Sequence, residues 1–227
     1  MKHRPRAVAF DVIETLFALD PFNEKLREAG LGGDAIWTWY ARTLRDGMAL
    51  NATGDFNSFP EVASAALEGL LAEHSIAAMD ESVPKMMEAL GELPPHRDVR
   101  PALEMLRSAG MPVIALTNGT AQNTQKLLAR SGLDPLVHRV VSIDEVRQWK
   151  PARSVYLQGV MAAGVEVSQM ALVAVHAWDC HGAAAAGLVT GWMPRQEKRF
   201  PRFMRQPDVR GGSLLEVVQR LLSLPAH

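Results

Sequence analysis

Asp11 closes a short apolar run over residues 7–10, and Thr15 follows it by four positions. A carboxylate at the end of a buried strand is a candidate nucleophile. Such a group needs a cation beside it, hydroxyl or amide donors for developing negative charge, and a means of activating water. Three later places in the chain offer these. Thr117 and Asn118 follow an apolar run over 112–116, Lys150 comes after a run over 139–143, and His176 to Asp179 follow a run over 170–175. In this reading Asp11 attacks, Lys150 supplies the cation, Thr15, Thr117 and Asn118 bind oxyanions, and Asp179 with His176 prepares water.

The elements that must hold these residues follow from the pattern. The apolar runs, with one more over 188–193, read as buried strands. Between them helical spacing appears over 102–109, 121–131, 154–163 and 180–186. Such alternation predicts a parallel sheet with helices on both faces, and ligands of such sheets bind beyond the carboxyl ends of the strands. Residues 16–95 show no clear strand. Helical spacing is present over 24–29, 34–50, 60–74 and 82–90, with Asp34 as a candidate N-cap and Glu92-Leu93-Pro94-Pro95 as an exit linker. The expected fold is α/β, with a three-layer parallel-sheet core from residues 1–15 and 96–227 and a helical cap domain, 16–95, inserted after the first strand.

Composition narrows the function classes. The chain has 227 residues, 24 Lys+Arg against 25 Asp+Glu, and a formal net charge of -1. That balance argues against nucleic acid as a partner, because phosphate binding needs a basic surplus or patch. A lone cysteine, Cys180, excludes an intrachain disulfide framework and a Cys-based zinc site, and the other histidines lack metal-ligand spacing. Lys2, Arg4 and Arg6 precede an apolar run too short for a signal segment, and no run approaches the ~18 apolar residues of a membrane span. A cytoplasmic protein without membrane contact is expected. The basic, proline-containing stretch 195–210 reads as a solvated loop. Cys180 and His181 are expected to pack on the helix after Asp179.

Four motifs in order resemble the haloacid dehalogenase (HAD) superfamily. Phe10-Asp11-Val12-Ile13-Glu14-Thr15-Leu16-Phe17 resembles its first motif and Leu116-Thr117-Asn118-Gly119 its second. Lys150-Pro151 resembles the third, and Val173-Ala174-Val175-His176-Ala177-Trp178-Asp179 the fourth. The resemblance implies a Rossmann-like core and hydrolysis through an aspartyl ester on Asp11. Its phosphatases place a second Asp two residues after the nucleophile; Ile13 stands there and cannot transfer a proton. They also use an acidic magnesium ligand where Val175 stands. The L-2-haloacid dehalogenase branch, which the helical insertion, Phe17, Trp178 and Tyr156 resemble, needs no such acid. A small anionic 2-haloacid substrate, no cofactor and a possible homodimer are then implied. Ile13, Arg42, Tyr156 and Trp178 are expected to bind substrate.

The sequence also departs from that branch. An aromatic usually occupies the Ile13 position and Gly the Glu14 position, and Ser and Asn often stand at Ala174 and His176. The branch receives its leaving halide on an Arg of the inserted helices, and matching on Trp37 puts Thr38 there. Arg42 and Arg45 lie four and seven residues after Thr38 on the same helix face, so Arg42 is expected to reach the pocket from the next turn. Two alternatives stay open: a magnesium-dependent phosphatase of small phosphate esters, and a catalytically idle fold that binds a small molecule.

Overall fold

The protein is described by a computed structural model over residues 2–76 and 82–226. Its strands are β1 (Ala7–Phe10), β2 (Val113–Thr117), β3 (Arg139–Ser142), β4 (Met170–Ala174), β5 (Val189–Trp192) and β6 (Val209–Arg210). They form one sheet in the order β3-β2-β1-β4-β5-β6, and every pairing is parallel. The sequences AVAF, VIALT and MALVA of β1, β2 and β4 are buried at every position. Continuous apolar runs are what strands covered on both faces require.

Helices α5 (Val99–Ser108), α6 (Ala121–Arg130), α7 (Arg153–Ala163), α8 (Ala177–Ala186) and α9 (Leu214–Leu222) accompany the sheet. β6 and α9 are additions to the sequence reading. β6 has two residues, too few for a period-2 signal. α9 is amphipathic, with Leu214, Val217, Val218 and Leu221 buried, but short.

The chain turns outward from β1 in both directions: β2 and β3 lie on one side, β4 to β6 on the other. Phe10 is in register with Ala115 of β2 and Val173 of β4, so Asp11 sits on the rim where the strand order reverses. That switch point is the crevice where open α/β sheets bind ligands.

Between β1 and α5 lie α1 (Asp20–Glu28), α2 (Ala35–Thr53), α3 (Phe59–Glu73) and α4 (Ser82–Glu88). α1 begins four residues earlier than its apolar spacing indicates, because Pro21 in the first turn is preorganised for a helical start. α3 starts with a Ser58–Glu61 capping box. Asp34 precedes α2 without a side-chain cap bond, since its backbone is already helical (φ -92°, ψ -1°). Trp39 anchors these helices: its ring lies 4.5 Å from that of Phe22, and its indole N–H donates to the Ala63 carbonyl at 2.8 Å.

Candidate active site

Two carboxylates and one ammonium form the centre. Lys150 Nζ donates to Asp11 Oδ1 at 3.1 Å and to Asp179 Oδ2 at 2.8 Å. Lys150 and Asp179 are wholly buried, whereas Asp11 keeps a small exposed area. Burial by itself would lower Lys150; the two carboxylates outweigh it and hold the ammonium above its ordinary value. Burial raises Asp179 and Lys150 opposes that, while Asp11 adds to it. Tyr156 donates to Asp179 Oδ1 at 2.7 Å. Both oxygens of Asp179 are therefore oriented, one by each partner. Tyr156 is buried and faces Asp179, whose carboxylate it positions.

The backbone that delivers these groups is itself held by side chains. Lys150 N donates to Asn118 Oδ1 at 3.0 Å, which fixes the lysine to the end of β2. Thr15 Oγ1 donates to Asp11 Oδ2 at 2.8 Å and accepts from Val175 N at 3.2 Å, which ties β1 to β4. Thr117 accepts from Gly119 N at 2.9 Å and so shapes the turn before α6; its hydrogen-bond partner is Gly119, not Asp11.

Glu14 explains one departure from the dehalogenase pattern. Its φ is +66°, a left-handed backbone that glycine adopts without penalty. The side chain offsets that strain, of order 1–3 kcal/mol, by accepting from Leu19 N at 2.7 Å. Burial pushes its carboxyl above the usual range. The same turn is held from outside: His96 lies 3.0 Å from the Glu14 carbonyl, and Arg195 donates to the Thr15 carbonyl at 3.3 Å. Arg195 also pairs with Asp98 at 2.7 Å, so the solvated-loop reading fails at this residue.

His176 stands between the rim and the inserted helices. Its Nε2 is 3.3 Å from the Ile13 carbonyl, 3.6 Å from Asp11 Oδ2 and 3.3 Å from the Tyr40 hydroxyl. Its ring stacks on Trp178, with centroids 5.5 Å apart. Ile13 thus faces His176 through its carbonyl. Tyr40 is the residue of α2 that meets this cluster.

Arg42 does not reach the cluster. Its guanidinium makes two parallel 2.8 Å bonds to Glu73 of α3, and Arg45 pairs with Asp46 at 2.7 Å. The expectation that Arg42 would face the pocket is corrected by Glu73, a fork-to-fork partner that sequence spacing on one helix does not reveal.

A second link joins α2 to the rim. Trp149, the residue before Lys150, is fully buried. Asn51 grips its backbone on both sides, donating to the Trp149 carbonyl at 2.6 Å and accepting from its N–H at 2.8 Å. The indole N–H donates to the Asn57 carbonyl at 3.0 Å. A β-carbon on Gly47 would lie 2.3 Å from the Trp149 ring, so only glycine lets the helix approach. A glycine in the middle of a helix is the sequence signal for this contact.

Magnesium does not suit this donor set. Asp11 and Asp179 both face the Lys150 ammonium, and Ile13 and Val175 bring no side-chain oxygen. Among the described residues, no group of three or more His, Cys, Asp or Glu converges to hold a metal. Cys180 is buried, and burial pushes its thiol up, away from the reactive thiolate.

A family profile described as haloacid dehalogenase-like hydrolase matches residues 5–187. The chain belongs to that family. Among its relatives is an (S)-2-haloacid dehalogenase 2 of Pseudomonas sp. (strain CBS-3), 26% identical over 205 residues, covering 89% of this chain and 90% of the relative. Another is haloacetate dehalogenase H-2 of Moraxella sp. (strain B), 26% identical, covering 89% and 91%. The crystal structure of an L-2-haloacid dehalogenase superposes with a TM-score of 0.91 at 25% identity, covering 96% of this chain and 99% of that one. An L-2-haloacid dehalogenase from Xanthobacter autotrophicus with chloropropionic acid covalently bound shares the fold, with a TM-score of 0.89 at 21% identity, covering 96% and 99%. As a haloacid dehalogenase-like hydrolase, the chain has its motif residues on the rim of the sheet, around Asp11.

Proposed function

We propose that this chain hydrolyses a small 2-haloacid through an ester on Asp11. The observation that carries the reading is the Asp11–Lys150–Asp179 chain with Ile13 two residues beyond Asp11. A buried, cation-paired carboxylate with no proton donor beside it suits a leaving group that departs as an anion. Halide is such a group; an alkoxide is not.

In the first step an Asp11 oxygen forms a bond to C2 and the carbon–halogen bond breaks, with its electron pair leaving on the halide. Lys150 and Thr15 hold the carboxylate for attack. In the second step water attacks the carboxyl carbon of Asp11, and Asp179 accepts the water proton. Its raised affinity for a proton favours that role. The bond between the Asp11 carboxyl carbon and the substrate oxygen breaks, the 2-hydroxy acid takes up the proton from Asp179, and Asp11 is regenerated as a carboxylate with one oxygen from water as the second water proton leaves to solvent. Asn118 and Thr117 at the β2 end bind the substrate carboxylate, and the inserted helices act as a cap over the rim. No step calls for a cofactor.

The test is a single turnover in oxygen-18 water. The label is expected in Asp11, with halide released and no dependence on a chelator. Label appearing only in the product on the first turnover, or magnesium-dependent phosphate release from a phosphate ester without halide release, would sink the reading.

A further inference from the structure

We propose that Tyr40 is the residue that receives the departing halide, through a neutral O–H donor, and that the site is therefore selective for 2-haloacids with good leaving groups. This rests on the reaction proposed above. Asp11 sits on the sheet rim, so a carbon attacked by its oxygen expels the halide away from the rim, toward the inserted helices. The developing anion needs a hydrogen-bond donor on that side.

The nearby cations are already committed. Lys150 lies between Asp11 and Asp179, Arg42 is bound to Glu73, Arg45 to Asp46, and Arg195 to Asp98 and the Thr15 carbonyl. From the inserted helices, Tyr40 reaches the cluster, one imidazole nitrogen away from Asp11.

The hydrogen bonding around that nitrogen leaves the tyrosine proton free. Two neighbours of His176 Nε2, the Ile13 carbonyl and the Asp11 carboxylate, only accept. These acceptors favour a hydrogen on Nε2, and in that tautomer Tyr40 accepts from it. Among the described residues His176 is the hydrogen-bond partner of the Tyr40 hydroxyl. Its own hydrogen is left to point at a ligand. Burial, followed by the fields of Asp11, Glu14 and Asp179, pushes the phenol well above its ordinary value, so it stays a donor. Trp178 and Tyr40 pack on His176, with ring centroids at 5.5 and 5.6 Å, and hold the arrangement.

A neutral donor stabilises an anion less than a charged one, by roughly half. The poorer the leaving group, the more its departure depends on that single bond. Single-turnover halide release is measured for 2-iodo-, 2-bromo- and 2-chloropropanoate on the wild type and on Tyr40→Phe. The wild-type rate is expected to fall steeply from iodide to chloride. Tyr40→Phe is expected to lower chloride release about tenfold and bromide release only about two- to threefold, as loss of one neutral hydrogen bond implies. A flat wild-type series, an equal loss for both halides, or no loss would overturn the proposal. A wild type that releases no halide from any of the three overturns the reaction itself, a result distinct from an unselective Tyr40→Phe. Should the variant fail to fold, the wild-type series still decides.

Discussion

On the rim of the sheet, charge meets charge: Asp11, Lys150 and Asp179 form a continuous buried chain, with Thr15 and Tyr156 on the outer oxygens. On the inserted helices that face it, the groups are aromatic and nearly neutral. Tyr40 touches His176, Phe59 packs on Trp149, and the two arginines of α2 turn to acids of the inserted helices, Arg42 to Glu73 of α3 and Arg45 to its neighbour Asp46. The difference assigns separate tasks. In the proposed reaction the rim carries the bond-making groups, and its buried charges must be held against their own electrostatic cost. The helical side holds the lysine loop, by packing and a few neutral hydrogen bonds.

Removing the nucleophile separates the two sides most strongly. Asp11→Asn is expected to lower halide release by at least about 10³-fold while leaving the thermal transition near that of the wild type; an active variant would end the ester mechanism. Lys150→Met attacks the rim through its stability. It leaves Asp11 and Asp179 buried without their cation, for an expected loss of about 3–5 kcal/mol in urea unfolding. A variant as stable as the wild type would mean the charge chain is not what the rim depends on.

On the helical side the effects are smaller. Asn51→Ala removes both bonds to the Trp149 backbone and should cost about 1–3 kcal/mol. Because Lys150 follows directly, turnover is expected to fall more than KM rises, and steady-state kinetics reads that split. Equal kinetics with reduced stability would make the grip on Trp149 structural alone.

The smallest effect is one of pH. Burial holds the Glu14 carboxyl above its ordinary range in the folded state, with Leu19 N, His176 and Arg195 opposing and Asp20 adding to it. A raised carboxyl contributes most below the unfolded value and loses that contribution as pH rises through the folded one. Glu14→Gln keeps an acceptor for Leu19 N and removes the titration. Melting temperatures measured upward from about pH 4.5 should therefore favour the variant progressively; parallel curves would show that Glu14 does not titrate with folding.

The strands and the rim residues were legible because their signals are local. Buried parallel strands read as unbroken apolar runs, and each polar residue at a run's end falls on the same rim once the strands align. Asp11, Thr15, Asn118, Lys150, His176 and Asp179 were reached in this way. Arg42 was misjudged because a helix face says which residues share a side, not which side meets the cleft. Glu73, on another helix, decided that. β6 and α9 carry too few residues to announce themselves.

Chain order and chemistry alone thus determined that carboxylates, lysine, hydroxyls and imidazole converge at strand ends, because strand polarity leaves few other places for them. Only the tertiary structure decided which partner each one takes. Tyr156 turned to Asp179, Asn51 to the backbone beside Lys150, and Tyr40 to His176. Those pairings join residues 23, 98 and 136 positions apart. They are set by how two packed layers meet, which no local period in the sequence encodes.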